Sequence, residues 1–216
     1  MQHLVPYLLL AVAVIGLAFA VRRVKRQLRS KNAELRAFEG EEHRMFAFLH
    51  DLGSAIGSDT TMTGLYRLIV DGVNKVVAAR GGALYLLDDS KGKLQPRYLS
   101  TECPAFGPVP EDVREKARKD SRALDSHLRL AQVPADEGIF GATLASGEAL
   151  NITDIRLHEA YRGDSGPDAE IATLIAPLRH GGKDLGILAV TRKREDGAFT
   201  ANDFARFRTV AEQTAL

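Results

Sequence analysis

The chain has 216 residues, enough for one domain of ordinary size with additional helices. Its 29 lysines and arginines stand against 28 acidic residues, a formal net charge of +1, so it has no surplus of cations with which to displace counterions from a phosphate backbone, and a dedicated nucleic-acid binder is excluded. The single cysteine, Cys103, makes no intrachain disulfide, so the fold stands without covalent cross-links and suits a reducing compartment.

Leu4 to Val21 is an uncharged apolar run of the roughly 18 residues that a tilted membrane-spanning helix needs. Ala18-Phe19-Ala20 mimics a signal-peptide cleavage site. Against cleavage, no Lys or Arg precedes the run, whereas Arg22, Arg23, Lys25, Arg26, Arg29 and Lys31 follow it. The expectation is an anchor over residues 1–21, single-pass in the inner (cytoplasmic) membrane, with the N-terminus outside and the rest in the cytoplasm. From Val21 the apolar residues continue at heptad spacing. Val21, Leu28, Leu35, Leu49 and Ile56 fall on one position and Val24, Phe38, Met45 and Leu52 on the other, broken by Lys31 and Glu42. A seam of period 3.5 needs a second helix to fill its holes, so residues 22–48 are expected to form a parallel coiled-coil signalling helix that makes the protein a homodimer.

Residues 49–216 read as one further domain. After the interruption at Gly57-Ser58-Asp59-Thr60-Thr61, a cap at Thr61 or Asp59 opens a helix over Met62 to Ala79, which buries Leu65, Leu68, Ile69, Val73, Val76 and Val77. Arg80-Gly81-Gly82 is expected to end it through a left-handed residue. Strands at Ala83 to Asp88 and Leu94 to Ser100 make a first hairpin. Thr101 to Pro110 is rich in Pro and Gly, and Glu111 to Leu130 is charged with helical character; its path does not follow from pattern. Gly138 onward reads as a helical turn, then a short strand and a loop. A second hairpin spans Thr173 to Arg192, turning at His180-Gly181-Gly182-Lys183, whose glycines tolerate positive φ. Phe199 to Asp203 caps a last helix, Ala201 to Leu216, whose Phe204, Phe207, Val210 and Ala211 would pack beside the Met62 helix.

Taken together, Gly138-x-x-Gly141, Ser146-Gly147-Glu148, Ile152-Thr-Asp154, Pro177-Leu178 and Leu185-Gly186-Ile-Leu resemble a GAF domain. The resemblance implies an α+β fold, a central antiparallel sheet flanked by helices, and a regulatory sensor more often than an enzyme. It also implies that the Thr101 to Phe140 region covers a ligand cavity. Tyr85, Tyr98, Cys103, Phe106 and Phe140 are the candidate ligand-binding residues, because aromatic rings at strand ends and in the cover can stack on a flat small molecule.

Catalytic and metal-binding residues are not assigned. His43, His50, His127, His158 and His180 are scattered without ligand spacing, and Gly138-x-x-Gly141 lacks the strand, third glycine and downstream acid of a dinucleotide fingerprint. Asn74-Lys75 lacks the downstream elements of the cyclic-nucleotide-binding members, and Cys103 followed by Pro104 departs from the pigment-attaching ones. The enzymatic alternative is a free methionine sulfoxide reductase, which shares the architecture but uses several cysteines. The preferred expectation is an input module that binds a small ligand or dimerises. Its last segment, Ala211 to Leu216, reads as helix without a C-cap, resembling a junction to a metal-dependent serine phosphatase (PP2C type), a histidine kinase or a diguanylate cyclase.

Overall fold

The computed structural model describes residues 61–88, 92–100, 102–117, 119–120, 122–163 and 170–215. The expected membrane span and the heptad seam lie outside the described residues. Among the described residues no helix is long and apolar enough to cross a membrane.

Helix α1, Met62–Val76, is opened by Thr61, whose hydroxyl accepts the Gly64 N–H at 3.2 Å. Its apolar residues recur at helical spacing, so Ile69, Val70, Val73 and Val76 turn to the sheet. Full burial of a Val or Ile is worth about 1.5–3 kcal/mol, which makes this stripe the helix's main hold on the domain. The helix ends earlier than its apolar pattern suggests. The left-handed residue is Ala78, at φ 51°, while Gly81 and Gly82 already belong to strand β1, Gly81–Asp88. Those glycines serve close packing instead: a Cβ on Gly82 would lie 2.6 Å from a Val70 methyl, and one on Gly81 would lie 2.5 Å from the Glu102 carbonyl.

Strand β2, Lys93–Leu99, returns antiparallel to β1, with a bulge that pairs Leu84 with Tyr98 but Tyr85 with Pro96. The charged stretch beyond it splits into two helices, α2 at Glu111–Ala117 and α3 at Arg122–Leu130. At the break, the Asp120 carboxylate accepts the Arg122 N–H at 3.0 Å. A two-residue strand β3, Val133–Pro134, pairs with the start of β2; pattern alone did not reveal it. Helix α4, Gly138–Ser146, ends on Gly147 at φ 69°. Strand β4, Leu150–Ile152, leads into a 3-10 turn, Ile155–Leu157. The long hairpin follows: β5, Ile171–His180, and β6, Lys183–Lys193, joined through Gly181 and Gly182 at φ 57° and 81°, the positive pair that a two-residue hairpin turn requires. Helix α5, Ala201–Thr214, starts with a full capping box, Thr200 and Asp203 bonding reciprocally.

The six strands form one antiparallel sheet in the order β3-β2-β1-β6-β5-β4. Strand alternation divides the residues between its faces. Ala83, Tyr85, Ile175, Ile187 and Ala189 point to the face covered by α4 and the 102–107 segment. Gly82 points to α1 on the opposite face, so Leu84, Leu188 and Val190 share that side. Helix α5 packs on β5 and against α1, burying Phe207, Val210 and Ala211. The described residues therefore fold as an α+β domain with a helix pair on one face of the sheet and a shorter helix with loops on the other.

Candidate functional site

On the α4 face, Tyr85 from β1, Phe106 from the covering segment and Phe140 from α4 meet ring to ring. Phe140 stands 4.9 Å from both partners between centroids, and Tyr85 meets Phe106 edge-on at 6.4 Å and 88°. Each of the three is at most 2% exposed. Tilted and edge contacts of this kind set the positive rim of one ring against the negative face of the next. Cys103 lies in the same cluster, and burial pushes its thiol well above the ordinary range, so it stays protonated. Burial likewise pushes up the Tyr85 phenol. The cover is latched from outside by Tyr161, whose hydroxyl donates to the Ala105 carbonyl at 2.8 Å. Four of the five candidate residues are thus brought together, and their rings spend their faces on one another.

Tyr98 is not among them. It sits opposite Leu84, one residue out of phase with Tyr85, and so emerges on the other face beneath α1. There its hydroxyl donates to Asp71 at 3.3 Å, and Asp71 also accepts from Arg67 one turn earlier at 3.3 Å. Burial first, and then the charge of Asp71, raise the Tyr98 phenol above its ordinary value. Tyr98 faces an open cleft of about 650 Å³ between α1, β2 and α3. A second groove of about 460 Å³ lies on the same side of the sheet, between α5, β5 and the α4–β4 turn, and includes Phe204 and Arg208.

Two ionic clasps frame these faces. Arg192, 8% exposed, donates to the Val77 carbonyl behind α1 and to the Ala198 carbonyl at 3.3 Å. It also stands 3.7 Å from Asp203 in the first turn of α5, with its guanidinium 4.2 Å from the Phe199 ring centroid. One side chain on β6 thereby holds the end of α1 and the beginning of α5. At the other end, Asp154 caps the 3-10 turn and grips Arg156 in a two-pronged pair at 2.7 and 3.0 Å. The Arg156 guanidinium holds the Asp154 carboxyl below its ordinary value. Among the described residues no group of three His, Cys, Asp or Glu is placed to hold a metal ion.

The family model for the GAF domain matches residues 59–216. The chain belongs to the GAF domain family. Solved GAF-fold structures agree with the architecture. The GAF domain of a phosphoenolpyruvate-protein phosphotransferase from Coxiella burnetii superposes with a TM-score of 0.58 at 19% identity, over 80% of this chain and 91% of that one. A free methionine-R-sulfoxide reductase from Neisseria meningitidis, in complex with its substrate, gives 0.55 at 14% identity over 79% and 86%. A methyl-accepting chemotaxis protein fragment gives 0.54 at 14% identity over 76% and 92%. Identities this low are evidence of shared fold. Among curated proteins none matches the chain.

Sequence reasoning missed Arg192 and the cleft arginines of the GAF domain. A signal for Arg192 was present: it continues the Leu188, Val190 alternation, placing a cation at a core position. Arg67 and Asp71 carried a weaker one, their i, i+4 spacing on α1. Arg97 and Arg129 had none, since they line one cleft from β2 and α3, two elements whose meeting no local pattern encodes.

Proposed function

We propose that this GAF domain is the input module of a membrane-anchored bacterial signalling protein, homodimeric through residues 22–48, that passes its state to an output domain or partner. A metal-dependent serine phosphatase, a histidine kinase or a diguanylate cyclase is the output class in view. The observation that carries the reading is the α1–α5 pair. The two helices lie side by side on one sheet face and are tied to β6 by the same arginine. A rearrangement of the sheet therefore moves both together. The seam at residues 22–56 approaches α1 directly in sequence, which gives that motion a route toward the membrane. On the other face, a small molecule accommodated by Tyr85, Phe106 and Phe140 would exchange ring contacts for ligand contacts, biasing the sheet by its differential affinity for the two packings. Tyr98 belongs to a different surface and is no part of that proposed pocket.

The fold likeness to a methionine sulfoxide reductase keeps an enzymatic alternative in view. The buried, protonated Cys103 thiol favours the regulatory reading, because the thiolate is the nucleophile in such chemistry. Reductant-dependent turnover of free methionine sulfoxide by the purified chain would reverse that preference. The main test is a one-residue deletion between Arg36 and Glu42, which rotates everything downstream by about 100°. The expected result is an altered output from the full signalling system with an unchanged GAF domain by circular dichroism. Unaltered output would reduce the helix to a passive tether. Disulfide cross-linking of Leu35→Cys in membranes, expected to give a covalent dimer, tests the seam itself.

A further inference from the structure

The cleft between α1, β2 and α3 collects cations from three separate elements: Arg67 from α1, Arg97 from β2 and Arg129 from α3. One carboxylate, Asp71, faces them, and it is already engaged by Arg67 and by the Tyr98 hydroxyl. Arg97 and Arg129 form no ion pair among the described residues. Like charges converging on one concavity repel, and an anion lying between them relieves that cost. Thr63 and Ser100 add hydroxyls to the lining, while Pro96, Leu99 and the half-buried ring of Tyr98 supply an apolar wall. The volume of about 650 Å³ suits a small molecule, since such sites span roughly 300–1,000 Å³.

The nature of the anion follows from the donors. Guanidinium forks match phosphate oxygens two at a time, and two forks on different elements match two neighbouring phosphate groups better than one carboxylate. An extended peptide adding to the β2 edge is opposed by Pro96, which has no N–H to offer, and by the bulge at that position. The geometry points to this cleft as a binding site for the diphosphate group of a small phosphorylated metabolite, gripped by Arg97 and Arg129, with the Arg67–Asp71 pair fixing Tyr98 as its side wall. Such a ligand ties α3, part of the covering region, to α1 on the helix-pair face. The inference goes beyond the signalling role and does not rest on it.

The test is calorimetric titration of the full chain in detergent with inorganic pyrophosphate at low ionic strength. Saturable binding, one per chain, weakened by added salt, is expected. Arg97→Gln and Arg129→Gln each weaken it about tenfold and the double variant about a hundredfold, because each removes charge-assisted hydrogen bonds. Arg208→Gln, in the other groove, leaves it unchanged. Arg97 and Arg129 are exposed, so folding is expected to survive. In the unsubstituted chain, pyrophosphate is expected to protect both arginines from phenylglyoxal, which tests the same contacts without any variant. Absence of saturable binding, or equal binding by the double variant, overturns the site. So does displacement of bound pyrophosphate by phosphatidic acid vesicles where a soluble nucleoside diphosphate displaces none, which would assign the phosphate to a lipid surface.

Discussion

The two faces of the one sheet are held in different ways. The α4 face is closed by shape: three aromatic rings in mutual contact, a protonated thiol and small β-strand residues, with no ion pair in the cluster. The α1–α5 face combines an apolar stripe with charged clasps, Arg192 at one end and the Arg67–Asp71–Tyr98 chain at the other. Packing energy scales with filled volume and is insensitive to pH, whereas the clasps depend on charge and on hydrogen bonds with specific partners. The difference suggests a division of labour. Under the proposed function, a ligand on the α4 face would act by changing volume, while the opposite face would respond to charge.

The largest expected effect breaks the volume-filled face. Phe140→Ala removes the ring that both other aromatics contact and leaves a cavity under the cover, at a cost of about 3–5 kcal/mol. Urea unfolding at neutral pH measures it. A cost below about 1 kcal/mol would mean that the cover collapses freely and that the face is not held by shape. Next comes the clasp of the other face. Arg192→Met keeps most of the side-chain volume but deprives the Val77 and Ala198 carbonyls of their charged donor and leaves Asp203 without its cation, costing about 2–3 kcal/mol. Arg192→Lys is expected to recover less than half, since one ammonium cannot reach both carbonyls and cover Phe199 as the planar group does. Full recovery would show that charge alone matters there.

How far these faces were legible beforehand depended on the range of the interactions. Both hairpins, the α1 stripe and a cap within Phe199 to Asp203 follow from local periodicity and turn chemistry, and the structure has them within a few residues. The Gly181–Gly182 turn is a case where local chemistry fixed the geometry. Where two local signals competed, pattern misled. Gly81 and Gly82 looked like a helix stop, yet their smallness serves contact with Val70 and Glu102, and Ala78 takes the left-handed position. Gathering Tyr85, Cys103, Phe106 and Phe140 was legible from the family resemblance. Tyr98 stands apart from them because aromatic character carries no hairpin phase, and its pairing with Leu84 sends it to the opposite face. The path through α2, α3 and β3 was illegible because charged, short helices carry little apolar period, and two residues of strand carry none.

The third prediction sharpens the comparison at the margin of the α4 face, where Asp154 introduces a charge next to the fully buried Ile155. The hydrogen bonds from Arg156 hold this carboxyl below its ordinary value. A depressed folded-state value contributes stability that is present above the unfolded value, about 3.9, and disappears as pH falls through the folded one. Asp154→Asn keeps the shape and most of the cap but loses that titrating contribution. The variant should therefore be less stable than the unsubstituted chain at pH 7, by less than Arg192→Met, and the gap should narrow below about pH 4. Thermal unfolding at a series of pH values measures it, and a gap that stays constant down to about pH 3 would mean that the pair contributes nothing through ionisation. Phe140→Ala, by contrast, should show a gap independent of pH.

The smallest effect belongs to Tyr98→Phe. The bond it removes is long, 3.3 Å, and its acceptor Asp71 keeps Arg67 at the same distance, so no buried group is left without a partner. The ring stays, and with it the packing beneath α1. The expected cost is below about 1 kcal/mol, near the lower end for a neutral donor on a partly solvated carboxylate. A double-mutant cycle with Asp71→Asn separates this from any general disturbance, because only the coupling between the two side chains survives the subtraction. A coupling of a few tenths of a kcal/mol keeps Tyr98 as a side wall positioned by the cleft. A coupling above about 2 kcal/mol would make the Tyr98–Asp71 bond as strong a clasp as Arg192, and the two ends of the charged face would then be held equally.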